Sequence, residues 1–65
     1  MNIRVNGTSM ETAAANVDEL LVELGYASGS IAVARNEAFI PKSSYADTLL
    51  SDNDDLEIVA PMQGG

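Results

Sequence analysis

The sequence ends in Gly64 and Gly65, the two positions whose residue type points most directly to chemistry. Adjacent residues without side chains cost backbone entropy to order and bring nothing to pack, so a role in stabilising a fold does not explain them. A carboxylate on Gly65 would have no side chain beside it. Because an α-carboxyl group has a pKa of about 3.3 to 3.7, it is an anion at neutral pH and needs activation before it can react as an electrophile.

The remaining composition offers few other reactive groups. The 65 residues include no Cys and no His, which excludes disulfides, thiolate or imidazole metal sites, and nucleophiles that depend on either residue. We therefore predict that the chain is not itself an enzyme and binds no cofactor or metal. The acidic residues Asp52, Asp54 and Asp55 lack the ligand spacing of a calcium loop and are interpreted as a solvated turn.

The charge of the chain narrows its possible partners. Ten acidic residues against three basic ones give a net charge of -7, so nucleic acid and membrane surfaces are not expected as partners. No apolar run approaches the roughly 20 residues of a bilayer span, and the N-terminus lacks a signal-sequence pattern, which predicts a cytoplasmic location. The acidic excess either maintains solubility or steers the chain toward a basic surface on a partner protein.

A strand hairpin is predicted at the N-terminus. Residues 1–5 alternate between apolar and polar types, as in a half-buried strand. Asn6 and Gly7 follow, a dipeptide typical of a type I′ turn because both central positions of that turn require positive φ. The chain is expected to return through residues 8–13 as an antiparallel edge strand.

A helix is predicted over residues 17–24, with both of its ends marked. Asn16 is the expected N-cap, Glu19 is placed to reach back toward the cap, and Gly25 ends the helix in the left-handed conformation. An apolar stripe at helical spacing is expected to face the core. Its members are Val17, Leu20, Leu21 and Leu24.

Two shorter strands and a polar turn are expected in the second half of the chain. Residues 30–35 contain a continuous apolar run from Ile31 to Ala34, which predicts a strand covered on much of both faces. Residues 38–41 predict a short edge strand that Pro41 ends. The last strand is placed at residues 56–62, with Leu56, Ile58 and Ala60 pointing inward and Pro61 ending its hydrogen bonding.

One or two helical turns are predicted over residues 42–50. Ser43 or Ser44 is the expected cap, and Tyr45 and Leu49 have the i, i+4 spacing of a shared helix face.

This order of elements predicts an α+β fold: a mixed sheet of four to five strands with one main helix packed across it. No tight turn connects the last strand to its neighbours, so we expect it to insert beside the first strand and parallel to it. That arrangement is the β-grasp, or ubiquitin-like, fold. At this length the chain is expected to form a single domain over residues 1–65, with a flexible C-terminal Gly-Gly tail at about residues 61–65.

Over its full length the chain resembles the ThiS-type ubiquitin-like sulfur carriers of thiamin biosynthesis. The resemblance lies in "IRVNG", "VDELLVELG", the middle stretch "IAVARNEAFIPKSSYADTLL" and the close "DNDDLEIVAPMQGG". Two turns depart from the family pattern, in which Gly is usual. Glu37 follows Asn36, which is expected to change the geometry of that turn, whereas Asn53 is a mild change because Asn tolerates the left-handed region.

The resemblance implies a function for the tail. In that family a ThiF-like adenylating enzyme uses Mg-ATP to form an acyl-adenylate on the terminal carboxylate, here that of Gly65. Sulfur from a cysteine desulfurase system then gives a thiocarboxylate, which a ThiG-like thiazole synthase consumes. Met62, Gln63 and Gly64 are expected to enter the partner's active site. The folded body is expected to dock through the side of the sheet near the last strand.

Other functions remain open on the sequence alone. The chain could carry sulfur for molybdopterin synthesis or be attached to lysines as a ubiquitin-like modifier. From another class, it could be a non-catalytic β-grasp interaction module with an inert tail. The short length favours the carrier of thiazole synthesis over the molybdopterin carriers.

Overall fold

The computed structural model describes residues 1–26 and 31–60. The elements are β1 (Asn2–Val5), β2 (Thr8–Glu11), α1 (Val17–Leu24), β3 (Ala32–Arg35), β4 (Ala38–Ile40), a short 3-10 helix (Lys42–Ser44) and β5 (Asp55–Val59). The predicted strands and the predicted helix are confirmed within these residues, while β2 is shorter than the predicted segment 8–13. No helix in this part of the chain is both long and apolar enough to cross a bilayer.

The five strands form one mixed sheet in the order β2-β1-β5-β3-β4. The hairpin pairs β1–β2 and β3–β4 are antiparallel, and β5 lies between them, parallel to β1 and antiparallel to β3. The last strand therefore inserts beside the first, as predicted, and receives main-chain hydrogen bonds along both edges. The predicted β-grasp topology is confirmed.

Helix α1 begins and ends where the sequence predicts. The Asn16 side chain accepts a hydrogen bond from the Glu19 amide at 2.8 Å, and the Glu19 carboxylate reaches back to the Ala15 amide at 2.9 Å. Gly25 ends the helix with a φ of 88°. The first bond satisfies an amide that the first turn of a helix leaves unpaired, and the second ties the residue before the cap to the same turn, so the helix position along the chain is fixed locally.

The core lies between α1 and one face of the sheet. Val17, Leu20 and Leu21 are buried and Leu24 packs against the same cluster, which confirms the predicted stripe. The buried apolar residues are Ile3, Ala14, Val17, Leu20, Leu21, Val33, Ile40, Tyr45, Leu50, Leu56 and Ile58. With the single helix on this face, the opposite face of the described sheet is left open.

Two burial predictions for the strands are wrong. In β3 only Val33 is buried, whereas Ala32 is exposed and Ala34 is half-buried, because α1 covers one face of the strand and nothing described covers the other. In the last strand Leu56 and Ile58 point inward as predicted, but Ala60 is exposed and lies after the end of β5 at Val59. An apolar run is therefore not by itself evidence of burial on both faces.

The prediction for residues 42–50 is also wrong in its details. The 3-10 helix has Pro41 at its N-cap position and no side-chain cap, so neither Ser43 nor Ser44 caps it. Tyr45 is buried, but Leu49 is 65% exposed and Leu50 takes the core position. The reason is that the chain stops being helical and bonds to the segment before α1: the Thr48 carbonyl accepts from Val17 and the Leu50 amide donates to Ala15.

The two hairpin turns have the same backbone form. Asn6 and Gly7 have φ values of 52° and 84°, and Asn36 and Glu37 have 50° and 72°, so both central residues of each turn have the positive φ that a type I′ turn requires. The prediction that Glu37 changes the geometry of its turn is wrong. Asn53 has a φ of 72°, as expected for a residue that tolerates the left-handed region.

Candidate functional site

The residues predicted to carry the chemistry, Met62, Gln63, Gly64 and Gly65, lie outside the described residues, as does Pro61. Their predicted roles stay predictions. What the structure describes is the support immediately before them: strand β5, Ala60, and the parts of the sheet around the end of β5.

Strand β5 occupies a central position in the sheet. Along one edge it pairs with β1 through Arg4 and Val5, and along the other it pairs with the whole of β3, where Ala32 lies opposite Val59. Leu56 and Ile58 anchor it in the core at 0% and 5% exposure. The tail predicted to react therefore follows a strand that is held on both edges and on one face, rather than a loose end.

The side chain of Asn6 holds the end of β5. Its amide nitrogen Nδ2 donates to the Ile58 carbonyl at 3.2 Å, and its oxygen Oδ1 accepts from the Ile58 amide at 2.8 Å. The Asn6 main-chain amide also donates to the Leu56 carbonyl at 2.9 Å. The sequence analysis assigned Asn6 only to a turn and missed these contacts.

The start of β5 is held by a second asparagine in the equivalent turn. The Asn36 side chain accepts from the Asp55 amide at 3.0 Å and donates to the Asp54 carboxylate at 3.1 Å. Asp54 also accepts from the Ser51 amide at 2.8 Å and forms an ion pair with Arg35 at 3.2 Å. Asparagines thus hold both ends of the strand that leads to the tail.

The interpretation of the acidic stretch as a solvated turn is wrong for Asp54. Asp52 and Asp55 are exposed, although Asp55 is the first residue of β5 and not part of a turn. Asp54 is only 5% exposed, and its side chain joins the loop at Ser51 to the β3–β4 turn and to Arg35 of β3. Within residues 1–26 and 31–60, the acidic side chains form no group of three that could hold a metal ion.

An apolar patch lies on the open face of the sheet, beside the end of β5. We define the open-face patch as Ala32, Ala34, Phe39 and Val59. Strand register places Phe39 opposite Ala34 and Ala32 opposite Val59, and alternation along each strand directs all four away from α1. Phe39 is 69% exposed and Val59 63% exposed.

The charges nearest the open-face patch are acidic. Glu57 lies directly opposite Ala34 on β5, and Asp55 is two residues earlier on the same face; both are exposed. Arg4 lies opposite Asp55 on β1 and places one cation on the same face. An apolar centre bordered by acids is typical of a surface that binds a partner with an apolar and basic counterpart.

The sequence contains a signal for this patch. Residues 31–34 and 38–40 are apolar at both odd and even positions, and only one of the two sets can face a single helix. The other set must face solvent or a partner.

Comparison with known proteins identifies the family. The model of the ThiS family matches residues 3–65. The chain belongs to the ThiS family. This finding confirms the resemblance drawn from the sequence, and the matched range includes the two glycines at the end of the chain.

Solved structures agree with this assignment. The crystal structure of a thiamine biosynthesis protein (ThiS) from Geobacter metallireducens superposes with a TM-score of 0.83 at 32% sequence identity, covering 100% of both chains. The NMR solution structure of a thiamine biosynthesis protein from the same organism also gives a TM-score of 0.83 at 32% identity, covering 100% of this chain and 88% of that one. The β-grasp architecture is therefore that of ThiS structures.

Curated relatives of this ThiS-family chain have a different name and are longer. A protein named thiazole synthase from Paramagnetospirillum magneticum is 46% identical over 66 aligned residues, and one from Magnetococcus marinus is 33% identical over the same length. The alignment covers 100% of this chain but only 20% of each relative, so the chain spans a fifth of the length of the curated relatives it matches.

Proposed function

We propose that this chain is a sulfur carrier, not an enzyme, and that the carboxylate of Gly65 becomes a thiocarboxylate that donates sulfur for the thiazole of thiamin. The observation that carries this proposal is the match of the ThiS family over residues 3–65, which includes Gly64 and Gly65. The geometry of β5 supports it, because a strand held on both edges presents the residues that follow it from a fixed position.

The proposed chemistry takes two steps in the active site of an adenylating enzyme of the ThiF type. An oxygen of the Gly65 carboxylate attacks the α-phosphorus of ATP, the α–β phosphate bond breaks, and pyrophosphate leaves; Mg²⁺ neutralises phosphate charge. A hydrosulfide sulfur then attacks the carbonyl carbon, the bond to the phosphate oxygen breaks, AMP leaves, and one proton is lost. A cysteine desulfurase system is the proposed source of the sulfur: a thiol attacks its protein persulfide, the sulfur–sulfur bond of the persulfide breaks, hydrosulfide leaves, and the two remaining sulfurs form a disulfide.

In this proposal the folded body provides recognition. The open-face patch lies beside the end of β5, so a partner that covers Phe39 and Val59 lies next to the start of the tail. Covering apolar surface of this kind contributes roughly 25 cal/mol per Å² before the costs of association are subtracted. Met62, Gln63 and Gly64 then extend into the partner's active site, where residues without bulky branches meet the least steric resistance.

The names of the relatives support one receiving partner. Two proteins named thiazole synthase contain a region that aligns with this whole chain, which links this domain type and that activity in single polypeptides. We therefore propose a ThiG-like thiazole synthase as the sulfur acceptor. The carrier would act in the cytoplasm, where the adenylating enzyme has access to ATP.

The proposal is tested by the intact mass of the protein after incubation with the adenylating enzyme, Mg-ATP and sulfide. The expected product has one oxygen replaced by one sulfur, with the change located in the C-terminal peptide. Deletion of Gly65 should abolish the change without unfolding the domain, because β5 ends at Val59 and a residue at a chain terminus contributes little stability. Gly64→Val should also be severe, since its branched side chain would meet the walls of a narrow site.

A variant with one Ala appended after Gly65 is the control for the position of the carboxylate, because it keeps both glycines and moves only the reacting group. Sulfur incorporation into the deletion variant, or none into the wild-type chain with a partner proven active, would refute the carrier function and favour an interaction module. Adding a thiazole synthase or a molybdopterin synthase large subunit to the thiocarboxylate shows which one removes the sulfur. A product joined to lysine would instead indicate a modifier.

A further inference from the structure

We propose that Asn6 is a positioning residue for the reaction at Gly65: its side chain fixes the end of β5 and so sets where residues 61–65 begin. The proposal rests on the proposed function of the tail. It is argued from the contacts of Asn6 with Ile58 and from the pairing of β5 with its two neighbours.

The hydrogen bonds between β1 and β5 follow a regular pattern. The Arg4 amide donates to the Asp54 carbonyl and the Asn6 amide to the Leu56 carbonyl, each at 2.9 Å, which is the regular two-residue repeat of a parallel pair. Continuing that repeat, the next two bonds would involve the amide and the carbonyl of Ile58. At this point, however, β1 has ended at Val5 and the chain turns toward β2.

The Asn6 side chain provides the hydrogen-bonding groups that the main chain of β1 no longer provides after Val5. Its carboxamide has the same donor and acceptor groups as a peptide unit, and it bonds both the amide and the carbonyl of Ile58. Alternate residues of β5 direct their main-chain groups to opposite neighbours. The main-chain groups of Glu57 and Val59 therefore face β3, while those of Ile58 bond to the Asn6 side chain. The two-sided pairing of β5 is thereby extended beyond the end of β1.

The Asn6 side chain affects how firmly the last residues of β5, and so the start of the tail, are held to the sheet. Without the carboxamide, β5 is held at Ile58 and beyond on the β3 side alone, and its last residues can separate more easily from the sheet. A partner must then order more of the chain when it binds the tail. Fixing the backbone of one residue costs about 1 to 2 kcal/mol, which corresponds to roughly a five- to thirty-fold loss of affinity.

Asn36 offers a matched control within the same molecule. It occupies the equivalent position of an equivalent turn, with a φ of 50° against 52° for Asn6, and its side chain also accepts a main-chain hydrogen bond from β5. Its side chain contacts Asp55, the first residue of the strand, and Asp54 just before it, both at the end away from the tail. A general loss of stability should appear in variants of both asparagines, whereas a positioning effect should appear only in variants of Asn6.

The experiment measures carrier-dependent ATP–pyrophosphate exchange by the adenylating enzyme, at a temperature where all variants are folded. Glycine is the substitution of choice because it keeps the positive φ of each turn and removes only the side chain. Asn6→Gly should raise the KM for the carrier roughly five- to thirty-fold with kcat little changed, while Asn36→Gly leaves KM unchanged. Asn6→Asp, which keeps the acceptor for the Ile58 amide and loses the donor, should give an intermediate KM.

Amide hydrogen exchange gives a second readout that needs no partner. Exchange at Ile58 should accelerate in Asn6→Gly and not in Asn36→Gly. Equal KM values for the two glycine variants, or unchanged exchange at Ile58, would overturn the positioning role while leaving the carrier function intact. Absence of ATP–pyrophosphate exchange with the wild-type chain and an enzyme proven active would instead refute the proposed function, and the positioning role with it.

Discussion

Glu37 holds a backbone conformation that residues with side chains rarely adopt, with a φ of 72°. The left-handed region costs such a residue about 1 to 2 kcal/mol, and Gly avoids this cost but loses some of the gain because it makes the unfolded chain more flexible. We expect Glu37→Gly to raise the free energy of unfolding by about 0.5 to 1 kcal/mol. Chemical denaturation monitored by circular dichroism measures the change.

Gly7 provides the reciprocal test, because it occupies the same place in the other hairpin turn with a φ of 84°. A Cβ added at Gly7 would meet no atom within 4 Å, so the backbone conformation alone decides the outcome. Gly7→Glu should lower the free energy of unfolding by about 1 kcal/mol. A stabilising Gly7→Glu, or a destabilising Glu37→Gly, would contradict this account of the two turns.

Residue-level prediction from the sequence succeeded where one residue type determines the conformation. Asn6 and Gly7 predicted a type I′ turn because few other residues adopt positive φ readily. Residue preference did not predict the turn at Glu37, because that turn is set by the pairing of β3 with β4. The burial of Asp54 was also not predicted, because its partners Arg35 and Asn36 are distant in sequence and a run of acids does not show which one turns inward.

At the level of elements, helix α1 contributes the apolar side of the core opposite the sheet. Leu21 is 4% exposed, whereas its neighbour Val22 is 61% exposed. Leu21→Ala should lower the free energy of unfolding by about 2 to 5 kcal/mol, through lost burial and the cavity left behind. Val22→Ala is the control on the outer side of the same helix and should change stability by less than about 0.5 kcal/mol. Similar losses in the two variants in urea denaturation would mean that the stripe is not what holds the helix to the sheet.

A helix or strand could be predicted from the sequence when the residues that determine it lie within or next to it. Helix α1 contains its own cap, stripe and end, so residues 16–25 suffice to predict it. Residues 42–50 could not be predicted in the same way, because Thr48 and Leu50 form main-chain bonds with the segment before α1. Those bonds place Leu50 in the core and leave Leu49 outside, an outcome that no helical periodicity describes.

At the level of the whole molecule, the sheet order followed from the sequence because few arrangements of these elements bury one apolar helix face. The location of the exposed surface did not follow as fully. The sequence predicted docking on the sheet side near the last strand, but locating the exposed apolar side chains Phe39 and Val59 on that side required the register of β3 with β4 and β5. The roles of Gly64 and Gly65 stay predictions that the experiments above address.

Docking of the folded body onto the adenylating enzyme is expected to combine the open-face patch with long-range attraction from the net charge of -7. The two contributions should separate kinetically, because contacts formed in the complex set the dissociation rate, whereas charge steers the encounter. Phe39→Ser should raise Kd roughly five- to thirty-fold, mainly through faster dissociation, since covering this side chain contributes about 1 to 2 kcal/mol. Raising ionic strength should instead slow association, by roughly tenfold or more for a steered encounter, with a smaller effect on dissociation.

Leu49→Ser is the matched control for Phe39→Ser, because Leu49 is 65% exposed against 69% for Phe39 but lies outside the patch, and it should leave both rates unchanged. Surface plasmon resonance at several salt concentrations measures both rates; an equal loss in the two variants would place docking elsewhere, and a salt-independent association rate would remove steering from the account.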